Sequence, residues 1–170
     1  MSNKPEVLYM KRELIIDGVT YCFFYDKDLN LWRTVANTNL ILRHEIDLEI
    51  DLNLLKNNLN WEEIKDFIAF IRNTNYKTKN ANVTKSKIAL HGLFKGVYRD
   101  SLSEKIKSNI DFDLSGIAYK NATKSSIGWV YEYELLFFPY NSTDMSMDIG
   151  SFAWHAKFRG NVLYGVYCDI

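Results

Sequence analysis

The stretch "HEIDLEIDLN", residues 44–53, alternates without a slip. Ile46, Leu48, Ile50 and Leu52 fall on one parity, and Glu45, Asp47, Glu49 and Asp51 on the other. A period of two belongs to a β-strand, whose successive side chains point to opposite faces of the sheet. One face of this strand is therefore expected to fill a core while the other carries four carboxylates. A slip of one residue would bury all four charges, so the pattern also fixes the register.

On the N-terminal side of this strand the chain reads as a meander. "ELIIDGVTYCFFY" sets Asp17-Gly18 between two apolar runs, a two-residue hairpin signal in which both turn positions favour positive φ. "YDKDLNLWRTVA" turns through Asp26–Asn30 into a third strand, and Asn37–Asn39 reads as a loop. On the C-terminal side, Asn60 with Glu63 three residues later marks a helix start with a capping box. Trp61, Ile64, Ile68 and Ile71 give that helix an apolar stripe, widened by Phe67 and Phe70, and it is the principal helix, at about residues 61–72.

Arg72–Lys87, "RNTNYKTKNANVTKSK", is polar, basic and aperiodic. It reads as a basic polar loop within a single globular domain, 1–170, joining an N-terminal half (6–73) to a C-terminal half (87–170). Period two then returns. Ile88-Ala-Leu90 starts a strand, bent at Gly92 and Gly96, and Ser101 with Glu104 caps a short helical turn that leads into another strand. In "SIGWVYEYELLFF", Trp129, Tyr131, Tyr133, Leu135 and Phe137 share one face, with Glu132 and Glu134 on the other and Pro139 closing the strand. Phe152, Trp154, Ala156 and Phe158 alternate with His155, Lys157 and Arg159 in a last hairpin that turns at Gly160-Asn161. The sum is a β-rich α+β fold, a mainly antiparallel sheet with the principal helix packed on it.

Composition agrees with a globular chain: 170 residues, 47% hydrophobic and 15% aromatic, with 8 Gly and 2 Pro. The opening residues carry no signal-peptide pattern and no run approaches a membrane span, so a cytoplasmic location without membrane contact is expected. Cys22 ("YCFFY") and Cys168 ("VYCDI") sit among apolar residues and read as reduced thiols. The Asn-x-Thr triplets at Asn82, Asn121 and Asn141 read as chance in an Asn-rich chain with no export signal.

Formal net charge is zero, but unevenly spread. Glu45 to Ile71 holds seven acids against Lys56 and Lys65, whereas Arg72 to Lys107 holds nine bases against Asp100 and Glu104. Such asymmetry bears on partners rather than on fold.

No phosphate loop, dinucleotide fingerprint, HExxH, GxSxG or CxxC pair occurs, and no cofactor or metal is implied. His44, His91 and His155 are each expected in a strand, but none has a local ligand spacing. The cysteines' apolar settings would raise a thiol's pKa, which disfavours a Cys–His pair. Lys77, Lys79, Lys85 and Lys87 around Tyr76 could hold phosphates, yet one aromatic and a balanced net charge make nucleic acid an unfavoured partner. The aromatic row from Trp129 to Tyr133 ends in Leu135 and Phe137 and reads as core rather than as a stacking platform.

The acidic row is the strongest functional signal. Same-face neighbours on a strand stand ~7 Å apart, so four carboxylates span ~20 Å, too far for one metal ion. The plain alternative is a wet face paired with bases of a neighbouring strand. The functional expectation is a docking surface, Glu45, Asp47, Glu49 and Asp51, for a basic protein partner. That expectation describes a non-enzymatic protein-binding module that inhibits a basic protein, with an immunity protein that blocks a nuclease toxin as its concrete version by class analogy alone. A β-rich small-molecule-binding or enzymatic domain is the alternative, favoured by a pocket that gathers His91 or His155 with Glu132 or Glu134.

Overall fold

In the computed structural model, residues 10–34, 38–42, 44–51, 59–150 and 152–169 are described, with backbone alone for residues 38, 39, 44 and 45. Five strands precede the helices: β1 (Lys11–Ile16), β2 (Val19–Asp26), β3 (Leu31–Thr34), β4 (Thr38–Ile41) and β5 (His44–Asp51). Then come α1 (Trp61–Asn73), α2 (Tyr76–Val97) and the short α3 (Glu104–Ser108). Four strands follow: β6 (Ile110–Ser125), β7 (Gly128–Asn141), β8 (Trp154–Arg159) and β9 (Val162–Cys168).

The strands form one sheet in the order β1-β2-β3-β5-β6-β7-β8-β9, with β4 also paired to β5. Short turns join β1 to β2, β2 to β3, β6 to β7 and β8 to β9, which makes each of these pairs antiparallel. Asp17 and Gly18 both take positive φ (50° and 76°), which closes the β1–β2 hairpin as its two-residue turn requires. The one parallel pair is β5 with β6 (Asp47↔Gly116 to Ile50↔Tyr119). Parallel neighbours need a long crossover, and here the helices supply it.

Ile46, Leu48 and Ile50 are fully buried, as their parity predicts. They share a core with Ile64, Phe67, Ile68 and Ile71 of α1. Asn60 caps α1, accepting from the N–H groups of Glu62 and Glu63 at 3.1 and 3.4 Å. Glu63 does not act as a capping-box acid; its carboxylate takes the Tyr119 hydroxyl's hydrogen bond. The ring of Phe67 packs on Tyr119, Tyr131 and Tyr133, so the aromatic row of β7 is core, although Trp129 at its end stays half-exposed.

Several expectations are corrected. Residues 72–87 are not a loop: from Tyr76 onward they form the first half of α2, the longest helix described. Its buried positions, Asn82, Val83, Ser86, Leu90 and Phe94, recur at helical spacing, but Asn and Ser hide the apolar period. Both are satisfied: Asn82 donates to Asn161 Oδ1 (3.1 Å), and the Ser86 hydroxyl donates to the Asn82 carbonyl (2.8 Å). The same helix absorbs Ile88-Ala-Leu90, leaving Ile88 exposed and Leu90 buried, with Gly92 and Gly96 as helical residues rather than a bend in a strand.

Thr38 and Asn39 lie in β4 rather than a loop. Ser103, not Ser101, caps α3 by accepting from the Ile106 N–H. Pro139 does not end β7, which runs on to Asn141. β8 pairs with β7 only over Glu132–Phe137, so at Pro139 that edge has no ladder to lose. Cys22 and Cys168 are free thiols, on strands near opposite ends of the sheet. No described helix is long and apolar enough to cross a membrane.

Since Ile68 and Leu90 are both fully buried, Ile68→Ala and Leu90→Ala are each expected to cost ~2–5 kcal/mol in urea unfolding. A Leu90→Ala loss below about half a kcal/mol would mean that α2 does not pack on the sheet as described.

Candidate functional site

The helices pack on one face of the sheet, and the polar parity of the central strands looks out from the other. Asp47, Glu49 and Asp51 stand on that face in half-buried positions. The side chain of Glu45 lies outside the described residues. β5 is an inner strand, so these carboxylates look across neighbours on both sides. The Arg33 guanidinium of β3, opposite Glu49 in register, makes an ion pair with it at 3.2 Å. Burial raises the pKa of Asp47 above its ordinary 3.8, with the Arg33 charge opposing. Burial likewise raises Glu49, against Arg33 and Lys120 and with the help of Asp47. One Asp47 oxygen, Oδ1, and the Arg33 Nε are buried without a hydrogen-bond partner.

A second polar group lies across β6–β9 on the same face. Glu134 of β7 accepts from three donors at one oxygen: Lys120 Nζ at 3.2 Å, His155 Nδ1 at 2.9 Å and the Tyr167 hydroxyl at 2.9 Å. His155 Nε2 bonds Asp169 at 2.8 Å, just past β9. The imidazole also stacks on the Tyr167 ring (4.3 Å between centroids, 11°), and Lys157 Nζ lies 4.4 Å from that ring's centre. Burial alone would depress the His155 pKa, but the two carboxylates outweigh it and the value is raised above 6.5. Burial also works against the charge of Glu134, yet its three donors hold its pKa below the ordinary 4.5.

With both ring nitrogens facing carboxylates, His155 is favoured as an imidazolium that donates twice. That arrangement binds β7, β8 and the end of β9 together. It leaves no ring nitrogen to accept a proton from a substrate.

His91 and His155 do not come together. His91 sits on α2 rather than in a strand, edge-on to Phe112, and burial lowers its pKa. The side chain of His44 lies outside the described residues. Among the described residues no group of three or more His, Cys, Asp or Glu could hold a metal. Sequence parity placed Glu134 and His155 outward but could not pair them. The bonds depend on the register of three strands, and Lys120, Tyr167 and Asp169 carry no local signal. No protein-family model, no curated protein and no solved structure matches the chain.

The His155 cluster sets a pH dependence with a definite sign. The raised pKa of His155 gives stability that is complete below 6.5 and is lost as pH rises through the folded value. The lowered pKa of Glu134 gives stability complete above 4.5 and lost as pH falls through its folded value. Urea unfolding of wild type against His155→Gln is therefore expected to differ most between about pH 4.5 and 6.5, by ~1–3 kcal/mol, and to differ less at pH 9. A pH-independent difference would show that the imidazole is not charged in the folded protein.

Proposed function

We propose that this chain is a non-enzymatic protein-binding module that receives a basic partner on the helix-free sheet face, through Glu45, Asp47, Glu49 and Asp51 of β5. The supporting observation is the incomplete compensation of Asp47. Its carboxylate keeps a buried oxygen without a donor, and burial outweighs the attraction of Arg33. An unsatisfied buried polar atom costs about 1–3 kcal/mol, and a cation brought by a partner would recover part of that cost. Spaced carboxylates also speed the encounter with a basic surface and set its orientation. An inhibitor of the immunity type is the form of such a module that this reading favours, by analogy of class alone.

The reading of the chain as a small-molecule-binding or enzymatic domain has one observation in its favour, the contact of His155 with Glu134 at 2.9 Å. Against it stand the engaged Nε2 of that ring and the Tyr167 ring stacked on its face.

Neutralising the row tests the proposal. Asp47→Asn is expected to leave the fold intact and raise stability at neutral pH by less than about 1 kcal/mol, because solvent still screens this half-exposed group. From extract of the native host, immobilised wild type should retain a protein of basic isoelectric point that Asp47→Asn/Asp51→Asn loses. Retention should fall with added salt. It should also weaken on acidification sooner than ordinary carboxylates would allow, since the pKa values of Asp47 and Glu49 are raised. If both proteins retain the same partners equally, the acidic row is only a wet face.

A further inference from the structure

The two carboxylates that flank His155 differ in what they could do without it. Glu134 of β7 is buried, and it has two further donors at the same oxygen, Lys120 Nζ at 3.2 Å and the Tyr167 hydroxyl at 2.9 Å. Asp169 follows the end of β9, the last strand in the sheet order, and its side chain is 59% exposed. Its carboxylate meets His155 Nε2 at 2.8 Å, and its N–H donates to the Ala153 carbonyl, just before β8, at 3.2 Å. Those contacts fasten the end of β9 to the start of β8.

An imidazolium donates to both carboxylates, whereas a neutral ring has one N–H and one lone pair. Loss of a proton to solvent therefore sets a lone pair against one of the two, and the surroundings decide which. A proton kept on Nε2 would leave the Nδ1 lone pair against Glu134, which is buried, held by Lys120 and Tyr167, and unable to turn to water. A proton kept on Nδ1 leaves the Nε2 lone pair against Asp169, which water can hydrate as it swings away. The second arrangement is lower in energy. Burial opposes the charge of the ring but the two carboxylates outweigh it, so the change lies above pH 6.5.

We infer that His155 is a pH-operated latch on the end of β9, shut while the ring is doubly protonated and released at Asp169 when Nε2 loses its proton. Among the described residues, the other charged groups around it are Lys120 of β6, on Glu134, and Lys157 of β8, 4.4 Å from the centre of the Tyr167 ring. Further along lie Glu132 of β7 and Arg159 of β8, paired with each other at 3.7 Å. All of these keep their charge through the titration of an imidazole. Burial raises Tyr164 and Tyr167 above 10 and Cys168 above 9, so they stay protonated. His155 is thus the group that changes state. The latch uses β7 to β9 and not the β5 row, so it stands or falls apart from the proposed function.

Nitrogen-15 NMR of the labelled protein, from about pH 5 to 8.5, tests the latch through the imidazole shifts and the backbone relaxation. The Asp169 order parameter should be about 0.85 on the acid side and fall below about 0.6 on the alkaline side, with its midpoint at the His155 titration and with β7 and β8 unchanged. The neutral ring should carry its proton on Nδ1. In Asp169→Asn the amide can either donate to the Nε2 lone pair or accept from an N–H there, so the drop should disappear. His155→Gln has nothing to titrate and should also remove it. Asp169 is largely exposed, so its variant carries the test even if His155→Gln fails to fold. A neutral ring protonated on Nε2, an Asp169 order parameter that stays constant across the pH range, or a drop that persists in either folded variant would overturn the inference.

Discussion

The parallel pairing of β5 with β6 is the seam on which the architecture depends. All other neighbours in the sheet are antiparallel and could be joined by short turns. At this seam the chain must leave one end of β5 and re-enter β6 at the other, so α1 to α3 are interposed. The helices bury the Ile46-Leu48-Ile50 parity, and the opposite parity is left to face outward. The seam is also sterically tight. Gly116 stands opposite Asp47, and a Cβ there would come within 3.2 Å of both the Asp47 carbonyl and Leu136 Cδ1. A Cβ at this position would be tight against both neighbours, and its absence lets β6 fit closely between β5 and β7.

On the outward face the carboxylates titrate in opposite directions, although Glu134 is buried and Asp47 and Glu49 are only half-buried. Glu134 receives three donors and is held charged. Asp47 and Glu49 share mainly Arg33, and burial prevails. The difference is the number of donors rather than depth. It separates a part of the face whose polar groups are satisfied internally, around β7 to β9, from the neighbourhood of Asp47 on β5, where one carboxylate oxygen is not. A binding surface is better built on the second, because groups already satisfied gain little from a partner.

Much of the fold was legible because its signals are local. The alternation in residues 44–53, the Asp17-Gly18 and Gly160-Asn161 turns, and the Asn60 cap each need only a few consecutive residues. What stayed hidden depends on residues far apart. α2 was missed since Asn82 and Ser86 occupy buried positions that only a partner on the 160–161 turn and the helix's own backbone make tolerable. Pro139 looked like a strand end because nothing local says that β8 stops short of it. The His155 cluster needed the registers of β7, β8 and β9 together. The acidic row was visible as four carboxylates, but Arg33 as the partner of Glu49 follows only from the β3–β5 register.

The zero net charge does not speak against electrostatic docking, because the charges are segregated by the sheet. α2 contains five lysines and no acid. Lys79 donates to the Arg72 carbonyl and Lys87 pairs with Asp111, whereas Lys77, Lys85 and Lys95 are exposed on the helical side. The β5 carboxylates look out from the opposite side, with a sheet and a helix layer between. Packed layers stand about 10 Å apart, comparable to the screening length of about 8 Å at physiological ionic strength. At that separation the lysines of α2 do little to cancel the field above β5. A charged partner therefore meets one layer's charge at a time, and it is the local sign, negative over β5 and positive over α2, that decides which face it approaches.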